Sequence, residues 1–310
     1  MNKSDRIFVA GHRGLVGSAI VRRLRGDGYE NLILVGRDAL DLRRQDAVER
    51  FFDAERPDCV FMAAARVGGI LANDSYRGDF IRDNLLIQTH VIDAAYRHGT
   101  KKLLFLGSSC IYPKYAPQPI KEEYLLSGPL EPTNQPYAIA KIAGVEMVSA
   151  YRDQYGFHGI SLMPTNLYGP NDNFDPLTSH ALAALIRRFC EAQRAKSPEV
   201  VVWGTGSTRR EFLHVDDLAD ACVFAMREYD QREPLNVGVG EDVTIRELAE
   251  LVGDVVGYRG TLRFDPSKPE GTPRKLLDVS RIHALGWHAR MPLRTGIAET
   301  YRWYAEHTPG

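Results

Sequence analysis

A phenol and an ammonium stand four residues apart in the run Pro136-Tyr137-Ala138-Ile139-Ala140-Lys141. On a helix that spacing puts Tyr137 and Lys141 on one face, about one turn apart. A lysine held near a tyrosine favours the phenolate, so the phenol releases its proton more readily near neutral pH. A donor tuned in this way suits carbonyl reduction, because the oxygen that takes up negative charge must be protonated. Tyr-x-x-x-Lys is also a common chance pair on a solvated helix face, so its meaning rests on its company. Part of that company is Leu106-Gly107-Ser108-Ser109-Cys110-Ile111-Tyr112. Ser108 can bond a substrate carbonyl and share its charge with Tyr137, making Ser108, Tyr137 and Lys141 a candidate triad; its plainer role is to cap a turn. Cys110 is a competent base when a nearby positive charge favours its thiolate. The other reading of Cys110 is a small buried filler.

These residues need a scaffold, and the first half of the chain supplies one by alternating short apolar runs with helical patterns. Strands are expected at 6–10, 32–35, 59–63, 102–106 and 159–163, and helices at 15–25, 46–56, 79–99 and 137–155. The alternation points to an α/β fold with a parallel sheet covered on both faces. Beyond Tyr168 the texture loosens. Gly169-Pro170-Asn171-Asp172-Asn173 is a loop signal, and helices are expected at 182–194, 215–227, from Thr244 with Glu247 at capping-box distance, and at 294–307.

Gly11-His12-Arg13-Gly14-Leu15-Val16-Gly17 follows the first strand and opens the first helix. In that context the glycines allow a sharp turn, close approach of a pyrophosphate, and tight helix–strand packing. The helix N-terminus then offers unpaired N–H groups to the phosphates. The second strand ends Val35-Gly36-Arg37-Asp38. Two guanidiniums, Arg13 and Arg37, suit a ribose 2′-phosphate, so NADP is expected over NAD. Asp38 remains the alternative, as a partner for a plain 2′-hydroxyl.

Bulk properties narrow the field. With 310 residues, 44% hydrophobic, 25% charged and a formal charge of -1, the chain reads as an ordinary globular protein without an electrostatic case for nucleic acid or an anionic membrane. No apolar run approaches the roughly 20 residues that span a bilayer. The N-terminal residues lack a signal-peptide layout. Cys59, Cys110, Cys190 and Cys222 are scattered without metal-ligand or disulfide spacing, so no metal is expected and a reducing cytoplasm is the simplest setting.

Taken together, these segments resemble the extended short-chain dehydrogenase/reductase family. Further blocks carry the resemblance over nearly the whole chain: Gly107 to Lys114, Glu131 to Tyr137, Pro164-Thr165-Asn166-Leu167-Tyr168-Gly169-Pro170, Arg210 to Asp217, and Asp265 to Lys275. The resemblance implies a Rossmann-type doubly wound domain over 1–169, onto which a segment around 211–240 folds back. A smaller, irregular α/β substrate domain would occupy 170–310. The implied reaction converts GDP-4-keto-6-deoxy-D-mannose to GDP-L-fucose by 3,5-epimerisation and then 4-keto reduction with NADPH. Both inverted carbons are α to the ketone, so one oxyanion site can serve every step. The resemblance makes Cys110 the epimerisation base and His180 the acid.

By the same resemblance the cofactor would lie against Gly11, His12, Arg13, Gly14, Leu15, Val16, Gly17, Arg37, Asp41, Leu42, Ala64, Leu106, Gly107, Lys141, Pro164, Asn166, Leu167 and His180. The GDP-sugar would meet Ser109, Asn166, Arg188, Trp203, Arg210 and Glu270. Arg188 also reads as part of a solvated face with Arg187, and Trp203 as core. The family implies a homodimer that pairs helices 79–99 and 137–155 of each subunit. The rivals are another nucleotide-sugar 4-reductase or 4-epimerase, and a non-catalytic NADP-binding sensor.

Overall fold

The computed structural model describes residues 1–268 and 271–308. The first half runs β1 (Ile7–Ala10), α1 (Leu15–Gly26), β2 (Leu32–Ile33), α2 (Gln45–Glu55), β3 (Cys59–Met62), α3 (Ile70–Ser75), α4 (Arg77–Arg97), β4 (Lys102–Leu106), α5 (Gln135–Tyr155) and β5 (Gly159–Pro164). The second half adds β6 (Asn166–Tyr168), α6 (Ala181–Arg194), β7 (Glu199–Trp203), β8 (Arg209–Arg210), β9 (Phe212–His214) and α7 (Val215–Glu228). It continues with β10 (Leu235–Val237), β11 (Val243–Thr244), α8 (Ile245–Val256), β12 (Thr261–Asp265), β13 (Arg274–Lys275), α9 (Ser280–Ala284) and α10 (Leu293–His307).

Six parallel strands form the main sheet in the order β10-β5-β4-β3-β1-β2. The chain leaves β1 for β2 on one side and returns to β3 on the other. The connections that leave the paired carboxyl ends of β1 and β3 therefore run to opposite sides, and a crevice opens there. Strands β1, β3 and β5 are buried along their full length, as a sheet covered on both faces requires.

Among the described residues two large apolar cores result, with a small third cluster of Ala72, Phe80 and Tyr137 against which Cys110 packs. One joins the main sheet to residues of α7 and β10 and to the chain from Leu277 to Trp287. The other gathers Leu182 and Phe189 of α6, Val202 of β7, Leu248 of α8, and Ile297 and Tyr304 of α10. Three short strands lie in the order β11-β8-β13, with Lys275 in register with Arg210. That pairing carries the irregular C-terminal third back to the crevice.

Local physics accounts for where elements begin and end. Helix α2 stops at Glu55 because Pro57 disfavours a helical residue before it, and Arg56 takes a left-handed φ of 43°. Thr244 and Glu247 form the expected capping box of α8. Two expectations are corrected. The second strand spans only Leu32–Ile33, not 32–35, so Leu34 and Val35 lie outside the ladder. The helix expected from 79 begins at Arg77 and is preceded by the unforeseen α3, separated from it by the non-helical Tyr76.

Candidate active site

The carboxyl ends of β1, β3, β4 and β5 form one wall of a cleft of about 1240 Å³, and α6, β7, β8 and β13 contribute the other. Every residue singled out for a site lines this cleft except Glu270, which lies outside the described residues.

At one end the glycine turn is held by contacts that leave no room for side chains. Gly11 has φ 83°, and a Cβ there would meet the Ala64 backbone nitrogen at 2.8 Å. A Cβ at Gly17 would lie 2.1 Å from the Gly11 carbonyl oxygen. Gly14 precedes α1 without a side-chain cap, so the first N–H groups of the helix face the cleft. Arg13 lies across Gly36, where a Cβ would come within 2.9 Å of its guanidinium carbon. The Asp38 carboxylate is almost fully exposed, stands 4.0 Å from the Arg13 guanidinium and lines the rim of the cleft with it. Arg37 lines the cleft beside them. Asp41 accepts bonds of 2.9 and 2.7 Å from Arg43, whose guanidinium holds the carboxyl down at about 2. A tight glycine turn under an uncapped helix end, with Arg13 and Arg37 at the far rim, fits a dinucleotide carrying an extra phosphate.

The triad sits where β4 meets α5. Pro136 stands in the first turn of α5, where its missing N–H costs nothing. Gly144 lets α5 press on the sheet, since a Cβ there would strike the Phe105 ring at 2.3 Å. Lys141 is 4% exposed; its Nζ donates to the Leu106 carbonyl at 2.7 Å and lies 4.8 Å from the Phe105 ring centre. Burial drives its pKa down to about 7. Tyr137 is nine-tenths buried beside Phe80. Here the spacing-based expectation is corrected. Burial raises the phenol's pKa, negative charge on Cys110 raises it further, and the hydrogen bond with Ser108 lowers it; Lys141 makes no comparable contribution. The ammonium points at a backbone carbonyl instead, 6.0 Å from the Tyr137 ring centre.

Ser108 is extended and caps a short 3-10 turn, Ser109–Ile111, accepting from the Cys110 N–H at 3.2 Å. The capping role and the cleft position therefore coexist in Ser108. Ser109 is nearly fully buried at the cleft wall. Cys110 is half-buried, and its sulfur accepts from Lys275 Nζ at 3.8 Å. His180 is the N-cap of α6. The segment before it is fixed by Asp175, which accepts from Leu177 and Thr178, and by the Gly69 N–H, which donates to the Thr178 carbonyl at 2.8 Å. His180 is open to solvent within the cleft. The surrounding protein nevertheless lowers its pKa, and the charge of Lys275 lowers it further.

On the opposite wall Arg187 pairs with Glu191 at the surface, whereas Arg188 turns inward. Arg188 donates to the Val201 carbonyl at 3.2 Å and lies over the Trp203 ring at 4.9 Å. Both are half-buried cleft residues, neither solvated face nor core. Asn166 donates its amide N–H to the Glu211 carbonyl at 2.7 Å, which leaves its side-chain oxygen free of that bond.

Three cleft residues escape sequence reasoning. Lys275 lies in a Pro- and Gly-rich stretch without periodicity, and only the β8–β13 pairing brings it in. Asn134 stands three residues before Tyr137 as the N-cap of α5, with no side-chain capping bond and a buried, unpartnered Oδ1. Gly36 shows its purpose only once Arg13 is seen across it.

Residues 7–238 match the NAD dependent epimerase/dehydratase family. GDP-L-fucose synthase 1 of Arabidopsis thaliana is 62% identical, over 99% of this chain and 95% of that protein. Among solved structures, a GDP-6-OMe-4-keto-L-xylo-heptose reductase from C. jejuni superposes with a TM-score of 0.94 at 39% identity, covering 99% of both chains. A GDP-L-fucose synthetase from Naegleria fowleri bound to NADP gives a TM-score of 0.91 at 30% identity, covering 99% of this chain and 94% of that one. With the family match spanning most of the chain and the similarity running end to end, this protein belongs to the NAD dependent epimerase/dehydratase family.

Proposed function

We propose that this protein converts GDP-4-keto-6-deoxy-D-mannose to GDP-L-fucose, inverting C3 and C5 and then reducing the C4 ketone with NADPH. The observation that carries this reading is one cleft lined by both a reductase triad and a separate thiol–imidazole couple. A plain reductase has no use for Cys110 and His180 there.

Gly11 to Gly17 would hold the pyrophosphate of the cofactor, and Arg13 and Arg37 its 2′-phosphate; when bound, NADPH supplies the hydride that reduces C4. Cys110, as thiolate, removes the proton from a carbon next to the ketone, and the electron pair moves to the C4 oxygen. Ser108 and Tyr137 hold that oxygen by their hydroxyls. His180 returns a proton from the opposite face, inverting the centre, and the exchange is repeated at the second carbon. In the reduction Tyr137 gives its proton to the C4 oxygen. A phenol held protonated by burial suits a donor, and negative charge on Cys110 keeps it so. Arg188 and Arg210 suit the pyrophosphate of GDP, and Trp203 its guanine. The cytoplasm is the setting this reading favours, in keeping with the four free cysteines. A homodimer joined through the packed pair α4 and α5 accompanies it, to be checked by light scattering.

The direct test is product analysis by NMR after turnover of the keto-sugar nucleotide with NADPH in deuterated water. GDP-L-fucose labelled at C3 and C5 is expected. A C4-reduced sugar with its C3 and C5 protons intact would identify a plain 4-reductase and refute the proposal. Cys110→Ser and His180→Gln should bind nucleotide but lose exchange, and unimpaired exchange in either would remove that residue's role.

A further inference from the structure

Lys275 takes no part in the chemistry described above, yet the fold builds it into the cleft. Strand β13 is two residues long, and successive side chains on a strand point to opposite sides. Arg274 turns outward to Asp242, which also receives Arg209 at 2.8 Å. These pairs lock β13 against β8 and leave Lys275 facing inward. There its ammonium reaches the Cys110 sulfur at 3.8 Å, and among the described residues it has no carboxylate partner.

We propose that Lys275 is a positioning residue that sets the charge state of the Cys110–His180 couple. Its ammonium favours negative charge on the sulfur and opposes positive charge on the imidazole. The inference rests on the epimerase reading of the cleft. In each inversion the S–H bond forms as the C–H bond breaks, with the electron pair going to the C4 oxygen. The imidazolium N–H then breaks as a new C–H forms on the opposite face. The couple passes from thiolate and imidazolium to thiol and imidazole, and proton exchange with solvent resets it. A fixed positive charge beside the couple stabilises the anionic sulfur and destabilises the cationic imidazole. The lowered pKa of His180, with Lys275 as its second cause after desolvation by the surrounding cleft walls, is in line with this. The other groups around the sulfur are the Ser108 and Tyr137 hydroxyls and, in register with Lys275, Arg210. Of the buried charged groups, the Lys141 ammonium is spent on the Leu106 carbonyl, and the Glu211 carboxylate accepts from the Val239, Gly240 and Leu277 N–H groups.

The experiment uses full-length Lys275→Met and Lys275→Arg. The first readout is the rate of Cys110 alkylation by iodoacetamide against pH, without substrate, mapped by mass spectrometry with Cys110→Ser as blank. In Lys275→Met the midpoint should rise by about one pH unit or more, slowing alkylation at neutral pH roughly tenfold; Lys275→Arg should follow the wild type. The second readout is solvent-deuterium exchange into GDP-4-keto-6-deoxy-D-mannose against pH. Both limbs of its bell should move to higher pH in Lys275→Met. A residue that only props the fold or binds the GDP anion would lower the amplitude or raise KM and leave the midpoints in place. An unmoved alkylation profile overturns the proposal. Exchange that persists in Cys110→Ser would instead sink the epimerase assignment, whereas the alkylation profile, read without substrate, tests the role of Lys275 independently of it.

Discussion

Lys141 is the residue whose burial makes the sharpest quantitative claim. Its pKa falls from 10.5 to about 7, driven by desolvation. Keeping it charged inside the fold therefore costs about 5 kcal/mol, at 1.36 kcal/mol per unit. The sign follows from proton counts. Between about pH 7 and 10.5 the unfolded chain binds this proton and the folded one does not, so stability rises with pH across that window. Below pH 7 both states are protonated and the full cost remains. Lys141→Met removes the cost, but it also removes the donor that the Leu106 carbonyl accepts from at 2.7 Å. Losing that bond returns about 1–3 kcal/mol. The variant should therefore be more stable than the wild type by about 2–4 kcal/mol near pH 6. Near pH 10.5 it should be less stable by about 1–3 kcal/mol, because only the lost bond remains. Urea unfolding of the two apo proteins across this range measures the difference. A difference that stays the same from pH 6 to pH 10 would refute the reasoning, since it would mean that Lys141 titrates alike in both states.

Three further outcomes are expected. Tyr137→Phe should lower reduction by roughly 10²–10⁴-fold while exchange at C3 and C5 continues, so that exchanged keto-sugar accumulates in the NMR spectrum. Gly17→Ala forces a Cβ to 2.1 Å from the Gly11 carbonyl and should lower both Tm and NADPH binding, whereas Gly14→Ala, with its nearest neighbour at 3.5 Å, should keep Tm and lose binding alone. Calorimetry and NADPH fluorescence separate the two. In Arg37→Ala the ratio of NADPH to NADH affinity should shrink, and equal affinity for the two cofactors in the wild type would refute the 2′-phosphate reading.

Wherever the chemistry depends on local spacing, the chain announces it. Gly11, Gly14 and Gly17 between a strand and a helix, Pro136 ahead of Tyr137, and Thr244 with Glu247 are short-range patterns whose physics acts within one or two turns. The β/α alternation likewise declares a parallel sheet, because strands covered on both faces must be apolar throughout. The break at Tyr76, with α3 before it, follows from no such rule.

The sequence by itself therefore determined the layer architecture, the dinucleotide turn and the residue types able to trade protons with a carbonyl. Only the tertiary structure decided their charge states. Tyr137 is held protonated and Lys141 drawn toward neutrality because each is enclosed by protein, and a spacing of four residues contains no information about enclosure. The neighbour of Cys110 was equally out of reach: Lys275 is 165 positions away, and contact across that distance comes from the pairing of β13 with β8. Electrostatic energy depends on separation in space and on surrounding solvent, and both come into being when the chain folds.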